Sequence, residues 1–381
     1  MLRRLVFVLV VIVGVSLPLS GIQAQGEGQP PVFCSTLSEA DCAILEQAQA
    51  AMAGISAAAF EAGLDLVVSS SDPEIGRVAV TVAGNGAMAA DMTLMAAFPQ
   101  PGAAMAEFMS QAPQKLVEFL RTVNGRVNLL ITLPKELATE AGIPQEGLPI
   151  ELVVVGGVVY VNTAALMPAG ETEGPAWIGL DVPSMYESML SMAEGGAPGE
   201  MAAVLESEAF QALVNFQNYV DFVRITRLAD VEIGGQPAAA FQTVVDYAGL
   251  FSSETFQKAF LDYMASVMEM QGESLEEMPE GFMDVMAAIM AGMSLQSTQW
   301  VDLKDYHIRH TDMTFGFELN REAIQQLEPE AAEDMPEDLS ISLSMNIDLS
   351  DFNVPVEVTA PEGAQVFNPM LFMSSMAEGN D

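Results

Sequence analysis

The spacing of apolar positions changes several times along the chain, and each change marks an element. Thr36-Leu37-Ser38-Glu39 resembles a capping box, and it opens a helix running through Ile44, Leu45, Ala48 and Met52 to Gly54. Alternation with a period of two follows at Leu64, Leu66 and Val68, at Val78, Val80 and Val82, and again from Met88 towards Phe98. Asn85-Gly86, between the last two runs, reads as the turn of a two-residue hairpin. Over residues 105–123 the period becomes helical and puts Met105, Phe108, Met109, Ala112, Leu116, Phe119, Leu120 and Val123 on one stripe, with Pro113 as a kink or restart.

Strand patterning resumes at residues 126–131, and Pro134 and Gly142 then bracket a short helix. A hairpin is expected at residues 150–155 and 158–161, turning at Gly156-Gly157, with a further strand at 177–181. Residues 183–213 read as mostly helical, broken by a glycine-rich loop at 195–199. A second hairpin turns at Gly234-Gly235. Two apolar helices follow, one lined by Phe256, Phe260, Tyr263 and Met264, the other by Phe282, Met283, Met286 and Met290. Three strands close the pattern at about 296–303, 306–319 and 339–349. The result is an α+β chain whose sheet is antiparallel.

Composition narrows the possible partners. Acidic residues number 52 against 13 Lys and Arg, a formal net charge of −39 over 381 residues. Hydrophobic residues still make up 50% of the chain, so it has enough apolar surface to fold, unlike disordered acidic chains. Nucleic acid and anionic membrane surfaces both select for Lys and Arg, and neither is an expected strong partner.

Arg3-Arg4, the apolar run at residues 5–15 and the small residue at Ala24 read as a secretory signal peptide over residues 1–24. The competing reading, an N-terminal membrane anchor, needs a longer apolar span. No Cys follows the apolar run directly, so lipid anchoring is disfavoured, and an exported, soluble, extracellular or cell-envelope protein is expected. Cys34 and Cys42 are the only cysteines, and in an exported chain they read as a disulfide before two free thiols. The remaining boundaries are an N-terminal arm at 25–36, one domain at 37–366 and a polar tail at 367–381.

A search for catalytic chemistry finds little. Gly84-Asn85-Gly86-Ala87-Met88-Ala89 matches a dinucleotide loop only superficially, because a strand rather than a helix is expected after it. His307 and His310 lie three apart on an expected strand, so they point to opposite faces and do not converge on a metal. Carboxylate pairs are too numerous for one to stand out. No catalytic residue, metal site or cofactor is assigned, and the chain is not expected to be an enzyme. Methionine is the unusual residue, with 26 copies; its flexible thioether suits adaptable apolar surfaces, and it serves equally well as ordinary core filler.

Several segments together resemble the LolA-like and LppX/LprG-like superfamily of exported lipid- and lipoprotein-carrying proteins. They are Gly156-Gly-Val-Val-Tyr160-Val161 with Pro175-Ala-Trp177-Ile178, and Val231-Glu-Ile-Gly-Gly-Gln-Pro237 before Phe241. Late in the chain they continue as Trp300-Val-Asp-Leu-Lys-Asp305-Tyr, Asp348-Leu-Ser-Asp-Phe-Asn353-Val-Pro355 and Ala360-Pro361-Glu-Gly-Ala364. The resemblance implies a strongly curved antiparallel sheet, an incomplete barrel, whose concave face is covered by helices around an apolar cavity.

On that footing the expected function is non-enzymatic binding or carriage of a lipid or other long apolar ligand outside the cytoplasm. Phe108, Met109, Leu116, Phe119, Phe256, Phe260, Met264, Met283, Met286 and Met290 are the candidate helical wall of the cavity. Each of them also has an ordinary core-packing role. The alternative is a structural or protein-interaction role in the envelope, with a collapsed cavity, an envelope protein partner and an acidic surface able to take up cations.

Overall fold

A computed structural model describes residues 33–34, 36–71, 76–96, 114–141, 143–164, 175–195, 210, 212, 216–271, 282–319, 321, 325 and 338–367. Within them the chain opens with helix α1 (Glu39–Ala53), followed by strands β1 (Ala57–Ser70) and β2 (Arg77–Ala89) and a short helix α2 (Met92–Ala96). After helical residues 114–120 come β3 (Asn124–Thr132), α3 (Lys135–Ala141), β4 (Leu148–Val155), β5 (Val158–Asn162), β6 (Trp177–Asp181) and α4 (Val182–Gly195). A 3-10 turn (Phe216–Phe222) leads into β7 (Val223–Arg227), β8 (Val231–Ile233) and β9 (Gln236–Val245). Helices α5 (Tyr247–Ser252), α6 (Glu254–Gln271) and α7 (Phe282–Met290) precede β10 (Met293–Asp302), β11 (Ile308–Glu318), β12 (Leu339–Ser350) and β13 (Gln365–Phe367).

All thirteen strands belong to one sheet in the order β13-β6-β5-β4-β3-β2-β1-β12-β11-β10-β9-β7, with β8 also paired to β9. The sheet is unclosed, with β13 at one edge and β7 at the other. The α+β architecture follows the expectation with one correction. β13 pairs parallel to β6 across Gln365–Phe367, so the sheet is mixed, because the chain returns from β12 to the far edge rather than by a hairpin.

Local chemistry explains most boundaries. The cap of α1 lies two residues later than the capping box placed it. Ser38 is the N-cap, its hydroxyl accepting from the Asp41 N–H at 3.2 Å, while the Thr36 hydroxyl donates to the Ile225 carbonyl at 2.9 Å and anchors the arm to β7. The β4–β5 hairpin turns at Gly156 (φ 59) and Gly157 (φ 79), a left-handed pair that only glycine enters without strain. The second hairpin, at Gly234-Gly235, turns as expected, but its first strand is split in two, β7 and β8, both pairing with β9.

One expectation fails. Asn85-Gly86 is not a turn: β2 runs through it without interruption, pairing Gly86 with Phe60 on one side and Val127 on the other. Residues 84–89 are strand, with no helix following them directly, in keeping with setting aside their dinucleotide-loop likeness. The strand expected from Met88 stops at Ala89, and Met92–Ala96 is helical.

The disulfide joins Cys34 to Cys42 with their Cα atoms 5.4 Å apart. Among the described residues no helix is long and apolar enough to cross a membrane. The candidate signal peptide, the glycine-rich loop at 195–199 and most of the expected tail lie outside the described residues.

Candidate functional site

Strand register assigns every side chain to a face, since directly paired residues project to the same side. One row runs Leu152, Val127, Gly86, Phe60 and Leu349. The next runs Ile150, Leu129, Gly84, Ala62 and Ile347. A third runs Leu148, Ile131, Val82, Leu64, Met345 and Met313, and a fourth continues through Val80, Leu66, Leu343, Phe315, Leu295 and Val245. One face is therefore apolar across strands that are distant in sequence. We call it the inner face. The alternate positions form an outer face that carries Glu61, Asp65, Asn85, Asn128, Glu151, Asp312 and Asp348, all on the sheet's polar side.

Burial on the inner face is uneven. On β3 and β4 the side chains of Val127, Leu129, Ile131, Leu148, Ile150 and Leu152 are buried and form one core. At the opposite end α1 lies on the sheet, with Ala48 packed among Ile225, Ala239, Phe241 and Val301. Between these two packed regions, Leu64, Leu66, Val80, Leu343, Met345, Met313, Phe315 and Leu295 are only half-buried. Each carries apolar area that still faces water, at a cost of about 25 cal/mol per Å² relative to full burial.

The helices add a second apolar surface. Phe256 of α6 is buried among Tyr219, Phe251 and Phe260, with ring centroids 5.5, 4.6 and 6.1 Å away. Phe222, Tyr247, Leu250, Ala287 and Met290 pack around this group. Burial pushes the Tyr219 and Tyr247 hydroxyls up from their ordinary values, as an apolar setting requires.

Of the candidate wall residues, the structure brings Phe256, Phe260 and Met290 together in this cluster. Met264, Met283 and Met286 are half-buried on the same pair of helices. Leu116 and Phe119 belong instead to helical residues 114–120, whose end lies against the β4–β5 turn, and Phe119 is buried. Phe108 and Met109 lie outside the described residues. Sequence reasoning missed the sheet's own contribution, Met345 opposite Met313 and their neighbours, because alternation alone does not say which strands share a face.

Charged groups collect where β10 turns into β11. Arg309 pairs with Asp302 at 3.4 Å and with Asp305, and its guanidinium lies 4.8 Å above the Phe352 ring. Burial acts against ionisation of Asp305, yet the His307 N–H and the charges of His307 and Arg309 outweigh it and hold the carboxyl below the usual carboxylate range. His307 precedes β11 and its ring lies tilted against Phe352, with centroids 4.5 Å apart. His310 is on the outer face, with its ring nitrogens 2.6 Å from Asp348 and 2.9 Å from Asp312. The two histidines thus make separate contacts. Among the described residues one group of three side chains has metal-ligand spacing, Cys34, Cys42 and Glu46, and its two sulfurs are joined to each other.

No protein-family model and no curated protein sequence matches the chain. Solved structures do. LprF from Mycobacterium bovis is 12% identical, with 85% of this chain and 97% of that one covered and a TM-score of 0.27. Lipoprotein LppX from Mycobacterium tuberculosis is 10% identical over 83% and 97%, with a TM-score of 0.26. A putative outer membrane lipoprotein-sorting protein domain from Vibrio parahaemolyticus is 9% identical over 83% and 93%, with a TM-score of 0.18.

Proposed function

We propose that this protein is a non-enzymatic binding or carrier protein, acting outside the cytoplasmic membrane, for a lipid or other long apolar ligand. The ligand lies against the half-buried centre of the inner face, and the half-buried methionines of α6 and α7 supply further adaptable apolar surface. The observation that carries this reading is the apolar row Leu64–Met345–Met313 and its neighbours, left half-buried between two well-packed regions of one sheet. Transfer of one methylene from water is worth about 0.8 kcal/mol, so a chain of about 16 carbons gains roughly 13 kcal/mol before ordering costs. Methionine suits such a surface because its unbranched thioether conforms to chains of different length.

Native mass spectrometry and solvent extraction of the purified protein test the reading. The expected result is a co-purifying apolar molecule, lost when Met345→Lys or Met286→Lys puts a charge at the site while the thermal transition stays cooperative. Repeated absence of any such molecule, with no binding of acyl probes, overturns the carrier role and favours the structural or interaction role.

A further inference from the structure

At one place on the inner face several uncharged polar side chains are neighbours. Thr311 on β11 pairs with Gln299 on β10, and Ser297, two residues before Gln299 on the same face, pairs with Thr243 on β9. These four residues form a compact block of uncharged polar side chains. Around it the inner-face positions are apolar: Ile347 and Met345 on β12, Met313 on β11, Phe241 on β9 and Leu295 on β10. All four are half-buried, and none of the hydrogen bonds within the described residues engages their side chains. Most other positions on the same face are Val, Leu, Ile, Met, Phe, Ala or Gly. A hydroxyl or amide turned towards an apolar layer costs free energy unless it meets a partner, and strand propensity favours β-branched apolar residues there.

We infer that Thr243, Ser297, Gln299 and Thr311 form a recognition subsite for an uncharged oxygen-bearing group, a hydroxyl or ester, on an otherwise apolar ligand. This inference rests on the carrier reading above and specifies its ligand. Three hydroxyls and one amide offer both donors and acceptors, the combination that a carbonyl or hydroxyl needs. They offer no charge. Among the described residues, the arginine that register places on this face beside Phe241 is already neutralised: Arg227 pairs with Asp41 at 3.3 Å and with Asp230. A ligand carboxylate would therefore be desolvated there with no counter-charge, whereas a neutral head keeps its hydrogen bonds.

Four probes of one chain length separate the possibilities: dodecane, dodecanol, methyl dodecanoate and dodecanoate, each displacing N-phenyl-1-naphthylamine from the full chain. In Gln299→Leu and in the near-isosteric Thr311→Val, the ratio of methyl dodecanoate affinity to dodecane affinity is expected to fall about tenfold, while dodecane binds at least as well as before. Thr314→Val, on the outer face of the same strand, leaves the ratio unchanged. An unchanged ratio in both inner-face variants overturns the subsite and leaves the carrier reading standing. A preference of the parent protein for dodecanoate over its methyl ester also overturns it, because the head would then be charged. Failure of the parent protein to bind any of the four removes the carrier reading, and the subsite with it.

Discussion

Gly86 of β2 lies so close to Arg126 of β3 that a Cβ on Gly86 would sit 2.3 Å from the Arg126 carbonyl oxygen, with the Phe60 ring 3.1 Å away on its other side. The glycine lets three strands close up where Phe60 crosses the inner face. Backbone cannot yield as a flexible side chain does. Gly86→Ala is therefore expected to cost about 1–3 kcal/mol, through displacement of β3 or of Phe60. In urea denaturation the midpoint should fall with the slope unchanged. A wild-type midpoint would contradict the close approach.

The same residue shows where sequence reasoning stops. Asn-Gly is the strongest short hairpin signal because a type I′ turn needs left-handed backbone, and Gly156-Gly157 meets that need as expected. Gly86 answers a different demand, close approach within a strand, and the two are indistinguishable until Phe60 and Arg126 are known to be its neighbours. The fold class, the hairpin at Gly156 and the strands β3, β6, β10, β11 and β12 were legible because their alternation is local. The candidate site was half legible. Methionines on α6 and α7 stand out by helical spacing, but Met313, Met345 and the Thr311–Gln299 pair acquire a shared face only through register, which no single strand's pattern contains.

Asn353 sits in the left-handed region (φ 59) and ties the end of β12 to the start of β1. Its side-chain oxygen accepts from the Ser56 N–H at 2.7 Å and the Ser56 hydroxyl at 3.0 Å, and its amide donates to the Gly54 carbonyl at 3.3 Å. Alanine loses all three bonds and strains the backbone; glycine loses the bonds alone. Both variants should be less stable than wild type, with Asn353→Ala about 1 kcal/mol below Asn353→Gly. Equal stabilities by chemical denaturation would show that the backbone relaxes out of the left-handed well.

Asp305 links stability to pH. Its carboxyl is held below the usual carboxylate range in the folded protein, so above about pH 4 the folded state gains from the charged form, and this gain is lost as pH falls through the depressed value. Asp305→Asn removes the gain at neutral pH. The stability difference between wild type and variant is expected to be full from about pH 5 to 7 and to shrink steadily towards pH 3. A difference that grows as pH falls from about 5 to 3 would contradict the ion pairing with Arg309.

The Cys34–Cys42 bond acts on a helix that is otherwise secured from the far side. α1 is held to the sheet by the Arg227–Asp41 pair at 3.3 Å, by the Thr36 hydroxyl on the Ile225 carbonyl at 2.9 Å, and by Ala48 against Val301 and Phe241. Closing a loop this short is worth about 2.5 kcal/mol in the chain-entropy description. Because Ala48 and Met52 are buried independently of the sulfurs, reduction should loosen the arm and first turn rather than release the helix. Hydrogen exchange with and without a reducing agent is therefore expected to speed at residues 36–43 and to stay slow at residues 48–53 and across β9 and β10. Uniform acceleration over the whole of α1 would mean that the disulfide, and not the packing against Phe241 and Val301, keeps the helix on the inner face.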